Sequence, residues 1–106
     1  MSLSVESPPG INVLEDLPDA IIALTFAQAM DITSTPAGSD FAVRFDDVDI
    51  GVPDSVAWYN NTVLELTYLS QPMPGINAEV DYTSGVNPIR TVDRFNASNW
   101  LDLTWT

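Results

Sequence analysis

Cysteine, histidine and lysine are all missing from this chain of 106 residues. Without cysteine there is no disulfide and no thiolate metal site, and the redox compartment leaves no mark. Without histidine and lysine, the commonest general base and the amine nucleophile are gone as well. A serine here has only a carboxylate or a metal to activate it, so the chain reads as a binding or structural protein and not as an enzyme. Cations are scarce: Arg44, Arg90 and Arg94 face fifteen acidic residues, for a net charge of -12. Such a surface repels phosphate backbones and anionic headgroups, which argues against nucleic acid and membrane surfaces as partners. No apolar run is long enough for a membrane span. Residues 1–20 have neither a basic start nor an extended apolar stretch, so they do not read as a secretory signal.

What is present belongs to a folded protein. Hydrophobic residues make up 45% of the chain, including three Trp, three Tyr and four Phe. The length fits one domain with one modest core. The plain reading of the acidity is solubility. The sharper one is adaptation to high salt, where a carboxylate-rich surface without lysine stays hydrated and its self-repulsion is screened.

Short apolar/polar alternations recur along the chain. Met1 to Gly10 ends in Pro8-Pro9-Gly10 and reads as an extended arm. Residues 1–19 are accordingly expected to be that arm plus a weak first strand, and residues 20–106 the domain proper. Ala20, Ile22, Leu24 and Phe26 share one face of a strand, and Ala27 to Met30 has room for one helical turn. Phe41, Val43 and Phe45 alternate inward, and Val48 to Ile50 reads as a short edge strand. Ser55 to Tyr59 and Thr62 to Leu69 read as a hairpin joined at Asn60-Asn61, because asparagine tolerates the positive φ of a two-residue turn. Ala78, Val80 and Tyr82 form another half-exposed strand. In the last segment Leu101, Leu103 and Trp105 fall on one face, and Trp100, Asp102 and Thr104 on the other. About seven short strands between turn signals predict an all-β, immunoglobulin-like, two-sheet antiparallel β-sandwich.

The order of several short motifs carries a resemblance. Leu24-Thr25-Phe26-Ala27-Gln28-Ala29-Met30-Asp31, Thr35-Pro36-Ala37-Gly38-Ser39-Asp40-Phe41-Ala42-Val43, Asn61-Thr62-Val63-Leu64, Val80-Asp81-Tyr82-Thr83 and Asn87-Pro88-Ile89-Arg90 follow one another at set spacing. Together they resemble the bacterial Ig-like repeat of the SwmB type, named after a cyanobacterial cell-surface swimming protein. The resemblance spans roughly residues 20–105. It implies a non-catalytic module of large surface or extracellular proteins, with no active-site residues to transfer. Val92-Asp93-Arg94-Phe95-Asn96 departs from the family pattern.

Candidate sites are few. Asp46, Asp47 and Asp49 with Gly51 make an oxygen-rich turn of the type calcium prefers, although Trp58 stands where a closing bidentate glutamate belongs. Asn60 (Asn-Asn-Thr) and Asn96 (Asn-Ala-Ser) match the glycosylation sequon and fall in predicted turns. Flat indole faces also raise the prospect of a carbohydrate platform. Trp58 and Trp105 read as core, and Trp100 as the exposed aromatic best suited to anchor a protein interface. With Pro8, Pro9, Ile11 and Val13 of the arm, Trp100 forms the expected contact surface for other protein subunits in a homo- or hetero-oligomeric assembly. An extracellular-type fold without an export signal points first to a small virion component, such as a head decoration, turret or tail protein. The alternatives are an adhesion or spacer module of a longer cell-surface protein, and a calcium- or carbohydrate-binding module.

Overall fold

The computed structural model describes residues 8–106. Eight strands follow one another: β1 (Gly10–Asp16), β2 (Asp19–Thr25), β3 (Phe41–Phe45), β4 (Val48–Gly51), β5 (Ser55–Trp58), β6 (Val63–Tyr68), β7 (Ala78–Tyr82) and β8 (Trp100–Trp105). Among the described residues the only helical element is one 3-10 turn, Gly38–Asp40, ahead of β3. The strands make two antiparallel four-stranded sheets in the orders β1-β2-β6-β5 and β4-β3-β7-β8. Lettered A to G with β4 as C′, this is A-B-E-D against C′-C-F-G, the constant-type immunoglobulin strand order with one strand added. The all-β, two-sheet sandwich expected from the alternation is therefore present, with eight strands.

Alternation sets the layers, because successive side chains point to opposite faces. Ile22 and Leu24 of β2 and Leu64, Leu66 and Tyr68 of β6 point into the core from the first sheet. Phe41, Val43, Phe45, Val80 and Tyr82 meet them from the second. Each fully buried large apolar side chain contributes roughly 1.5–3 kcal/mol. Ring pairs bridge strands and sheets: Phe41 and Tyr82 at 5.3 Å, Phe45 and Tyr68 at 6.3 Å, Phe26 and Trp58 at 5.9 Å.

The Phe45–Tyr68 contact also fixes how the sheets run. Phe45 ends β3 and Tyr68 ends β6, so these strands finish at the same pole. β1 is two antiparallel steps from β6, and β8 two from β3. β1 and β8 therefore run in the same direction, and they lie on neighbouring edges, where the Trp105 indole donates to Asn12 Oδ1 at 3.1 Å. The chain enters β1 at one pole (the N-terminal pole) and leaves β8 at the other (the C-terminal pole). The N-terminal pole carries the loops at 26–38, 59–62 and 83–99. The C-terminal pole carries the turns at 17–18 and 46–47 and the loop at 69–77.

Several local expectations change. The boundary expected at residue 20 falls inside the first sheet, because Gly10 to Asp16 pairs residue by residue with Asp19 to Thr25. Residues 1–7 of the expected arm lie outside the described residues. No helical turn forms at Ala27 to Met30; Met30 instead makes an isolated bridge to Thr91 and is buried. The two-residue turn with positive φ lies at Asp46-Asp47, at φ 53° and 66°, between paired Phe45 and Val48. Asn60 and Asn61 keep negative φ. Their turn is held by the Asn60 carboxamide oxygen, which accepts from the amides of Thr62 and Val63 and from the Thr62 hydroxyl.

The largest change is in β8. Val80 pairs with Leu103 and Tyr82 with Trp100, so both Leu101 and Asp102 oppose Asp81. This is a β-bulge, with Asp102 at φ 55°. A bulge shifts the alternation by one residue. Trp100 therefore faces the same core as Leu103 and Trp105, and Leu101 is turned to solvent at 74% exposure.

Candidate functional site

The acidic turn is built around its own backbone. Asp46 accepts from the amides of Gly75, Ile76 and Asn77 at 2.8, 2.6 and 3.0 Å, and these bonds hold its carboxyl below the usual range. It thus clasps the 69–77 loop onto the β3–β4 turn. Asp49 accepts from the Gly51 amide at 2.8 Å. Asp47 is exposed in the turn. Among the described residues no three acidic side chains are placed to hold a metal ion. The calcium expectation at Asp46, Asp47 and Asp49 is thereby corrected: two of the three carboxylates serve as turn acceptors.

The aromatic and arm residues are likewise spent inside the molecule. Trp100 is buried, with its ring 4.8 Å from Tyr82, and is not the exposed anchor expected. Trp58 donates its indole N–H to the Ser34 carbonyl at 3.1 Å, and Trp105 reaches Asn12. Trp58 and Trp105 are half-buried against the core, and Trp100 is buried. Val13 belongs to the core, Ile11 packs against it and Pro9 is buried, while Pro8 is exposed. Of the expected arm contacts, only Pro8 is left to face a partner. Both sequon asparagines, Asn60 and Asn96, are exposed. The backbone of Asn96 bridges to Arg90, and the next residue, Ala97, is buried and donates its amide to Ile89.

The motif segments meet at the N-terminal pole. Asp31 accepts from Arg90 Nε at 2.9 Å and from the amide and hydroxyl of Thr33, and these bonds lower its carboxyl pKa, the Thr33 hydroxyl most. The Ser34 hydroxyl donates to the Pro88 carbonyl at 2.6 Å, and the Ile89 amide to the Tyr82 hydroxyl at 3.0 Å. The backbones of Ala29 to Asp31 and Arg90 to Val92 are bonded to each other, and Met30 donates to Asn61. The residues that carry the family resemblance are therefore mutual partners in a strap across one end of the sandwich.

The outer face of the second sheet carries a charged network that no linear motif marks. Arg44 meets Asp81 through two N–H groups at 3.1 Å, Asp102 at 2.8 Å and Glu79 at 3.5 Å. Asp81 lowers its pKa in this company, and that of Arg44 rises through the same hydrogen bond. The outward positions of Arg44, Glu79 and Asp81 on neighbouring strands signalled the network, but Asp102 joins only because of the bulge. The first sheet's outer face is different: Asn12, Leu14, Ile21, Ala23, Val63 and Ala57 surround Glu65, and Asp16 and Asp19 stand at the end of the same face. Compared with family models, curated proteins and solved structures, the chain matches none.

Proposed function

We propose that this domain is a non-enzymatic structural module that spans distance and docks other protein subunits, as one unit of a longer surface protein. The observation that carries this reading is the course of the chain: parallel terminal strands on neighbouring edges take the polypeptide in at one pole and out at the other. The body they traverse measures 40 × 22 × 21 Å. A domain with this course adds its long axis to a string of domains, where one with both termini at the same pole folds the string back. The ordered motifs that resemble a repeat of surface proteins support the same setting. So does the internal use of the polar groups, whose strongest bonds tie loops and strands together.

The virion setting expected from the sequence has less support. It follows from an extracellular-type fold without an export signal and includes an arm against neighbouring subunits; of that arm Pro9, Ile11 and Val13 pack on their own sandwich, and residues 1–7 lie outside the described residues. Small-angle scattering from one, two and three copies joined end to start tests the proposal. The maximum dimension is expected to grow by about one long axis, 40 Å, for each added copy. A particle that instead thickens, with copies folded side by side, overturns it.

A further inference from the structure

Charge is divided unequally between the two poles, and both carry exposed apolar side chains. The C-terminal pole carries Glu15, Asp16, Asp19, Asp46, Asp47 and Asp54, with no arginine among them. Asp54 and Asp19 accept from the consecutive amides of Leu69 and Ser70 at 2.8 and 2.9 Å, which draws the 69–77 loop against the 17–18 turn. Leu17 and Leu69, at 79% and 60% exposure, stand out of this acidic ground. The N-terminal pole holds two of the three arginines. Arg90 is paired with Asp31, whereas Arg94 has no ion-pair partner among the described residues. Arg94 tops a tight knuckle at φ 69°, closed by the Thr91 amide on the Phe95 carbonyl and by the Arg94 amide on the Thr91 carbonyl. Val92, Asp93 and Phe95 stand beside it, all exposed.

From this we infer that the N-terminal pole of one copy docks on the C-terminal pole of another, with Arg94 set among the Asp16, Asp19 and Asp54 carboxylates and Val92 and Phe95 against Leu17 and Leu69. The occupant is a second copy of this chain because the N-terminal pole supplies the cation that the C-terminal pole lacks, although Asp93, next to Arg94, adds a carboxylate to the same knuckle. One has acid without cation around exposed leucines, and the other an arginine on an apolar knuckle. An arginine with apolar neighbours is also the composition that concentrates binding energy at small contacts. The contact joins unlike surfaces, so it propagates into open chains instead of closing into a dimer. The net charge of -12 opposes approach of free copies at low salt. Linkage within one polypeptide raises the effective concentration and offsets that repulsion. This last setting rests on the string proposed above; the contact itself does not.

Sedimentation of the whole chain against concentration tests the contact with free copies. At about 0.5 M KCl the Debye length is roughly 4 Å, so the long-range repulsion is screened and direct pairing is retained. The wild-type chain is expected to form a ladder of species that lengthens with concentration. Arg94→Glu and Asp16→Arg, each at an exposed position, are expected to weaken this by at least about tenfold when alone. Mixed together they associate again, since each keeps the pole the other has lost and the reversed charges at 94 and 16 still attract. Monomers at every concentration, a wild-type assembly that stops at dimers, or variants that assemble like the wild type would each overturn the inference. Scattering from joined copies can succeed while this fails, and the reverse, so the two proposals fall separately.

Discussion

Replacing Tyr82 with phenylalanine removes one oxygen from the base of the N-terminal strap and leaves the ring in place. Tyr82 is fully buried, stacked between Phe41 at 5.3 Å and Trp100 at 4.8 Å, and those contacts survive the change. What is lost is the acceptor for the Ile89 amide, 3.0 Å away at a residue that is itself fully buried. A buried amide without a partner costs about 1–3 kcal/mol. With an unfolding entropy near 2.1 cal/mol/K per residue, the melting temperature of a chain this size falls by roughly 5–15 °C. Tyr68→Phe is the control. Its hydroxyl donates to the Gly51 carbonyl at 2.8 Å, and Gly51 is exposed, so water replaces the lost donor. That loss is expected below about 1 kcal/mol. Urea denaturation of both variants gives the two free energies, and hydrogen exchange reads the Ile89 amide directly. If Tyr82→Phe costs no more than Tyr68→Phe and the Ile89 amide stays as protected as before, the strap does not depend on this bond and the reasoning fails.

Other outcomes follow from the same contacts. Arg44→Met leaves Glu79, Asp81 and Asp102 facing one another and is expected to cost about 1–3 kcal/mol, partly recovered by salt; an equal loss in dilute and concentrated KCl argues against the network. Asp31, Asp46 and Asp81 have folded pKa values below the ordinary 3.8, so their contribution is complete above that value and is lost as pH falls through the lower folded values. Stability is expected to decline in acid below about pH 4, and Asp46→Asn to make that decline shallower, as read by denaturant titrations across pH. Millimolar calcium is expected to leave the melting temperature unmoved, because the Asp46 and Asp49 oxygens are held by backbone amides. A rise of several degrees would restore a metal role for this turn.

The alternation of Ile22 and Leu24, of Phe41, Val43 and Phe45, and of Leu64 and Leu66 was legible because both sheets bury one face and period two is strict there. Trp100 was misplaced for the same reason that these were found. Strict alternation through Asp102 puts Trp100 on the outer face, and nothing in the string Leu101-Asp102-Leu103 announces a bulge. Asparagine and aspartate both tolerate positive φ, so composition does not separate the two turns; the three amides that Asp46 serves across the fold decide which pair adopts it. β1 looked weak because Asn12, Leu14, Glu15 and Asp16 are exposed on an edge strand, and its single fully inward residue, Val13, gives little periodic signal. The strap at the N-terminal pole is visible only as motif order, since its partners Asp31 and Arg90 lie 59 residues apart.

The left-handed residue in β8 bears on how this protein behaves when crowded. β8 is the outer strand of its sheet, and a straight outer strand offers a ladder of amides and carbonyls to any extended peptide. Here the kink at Asp102 turns its amide back onto Asp81 at 2.7 Å and draws its carboxylate to Arg44. An arriving strand finds the ladder interrupted midway and a cluster of charge beside the break. Fibril growth along this border is checked by geometry as well as by repulsion, so the safeguard persists in brine that would silence the charges alone.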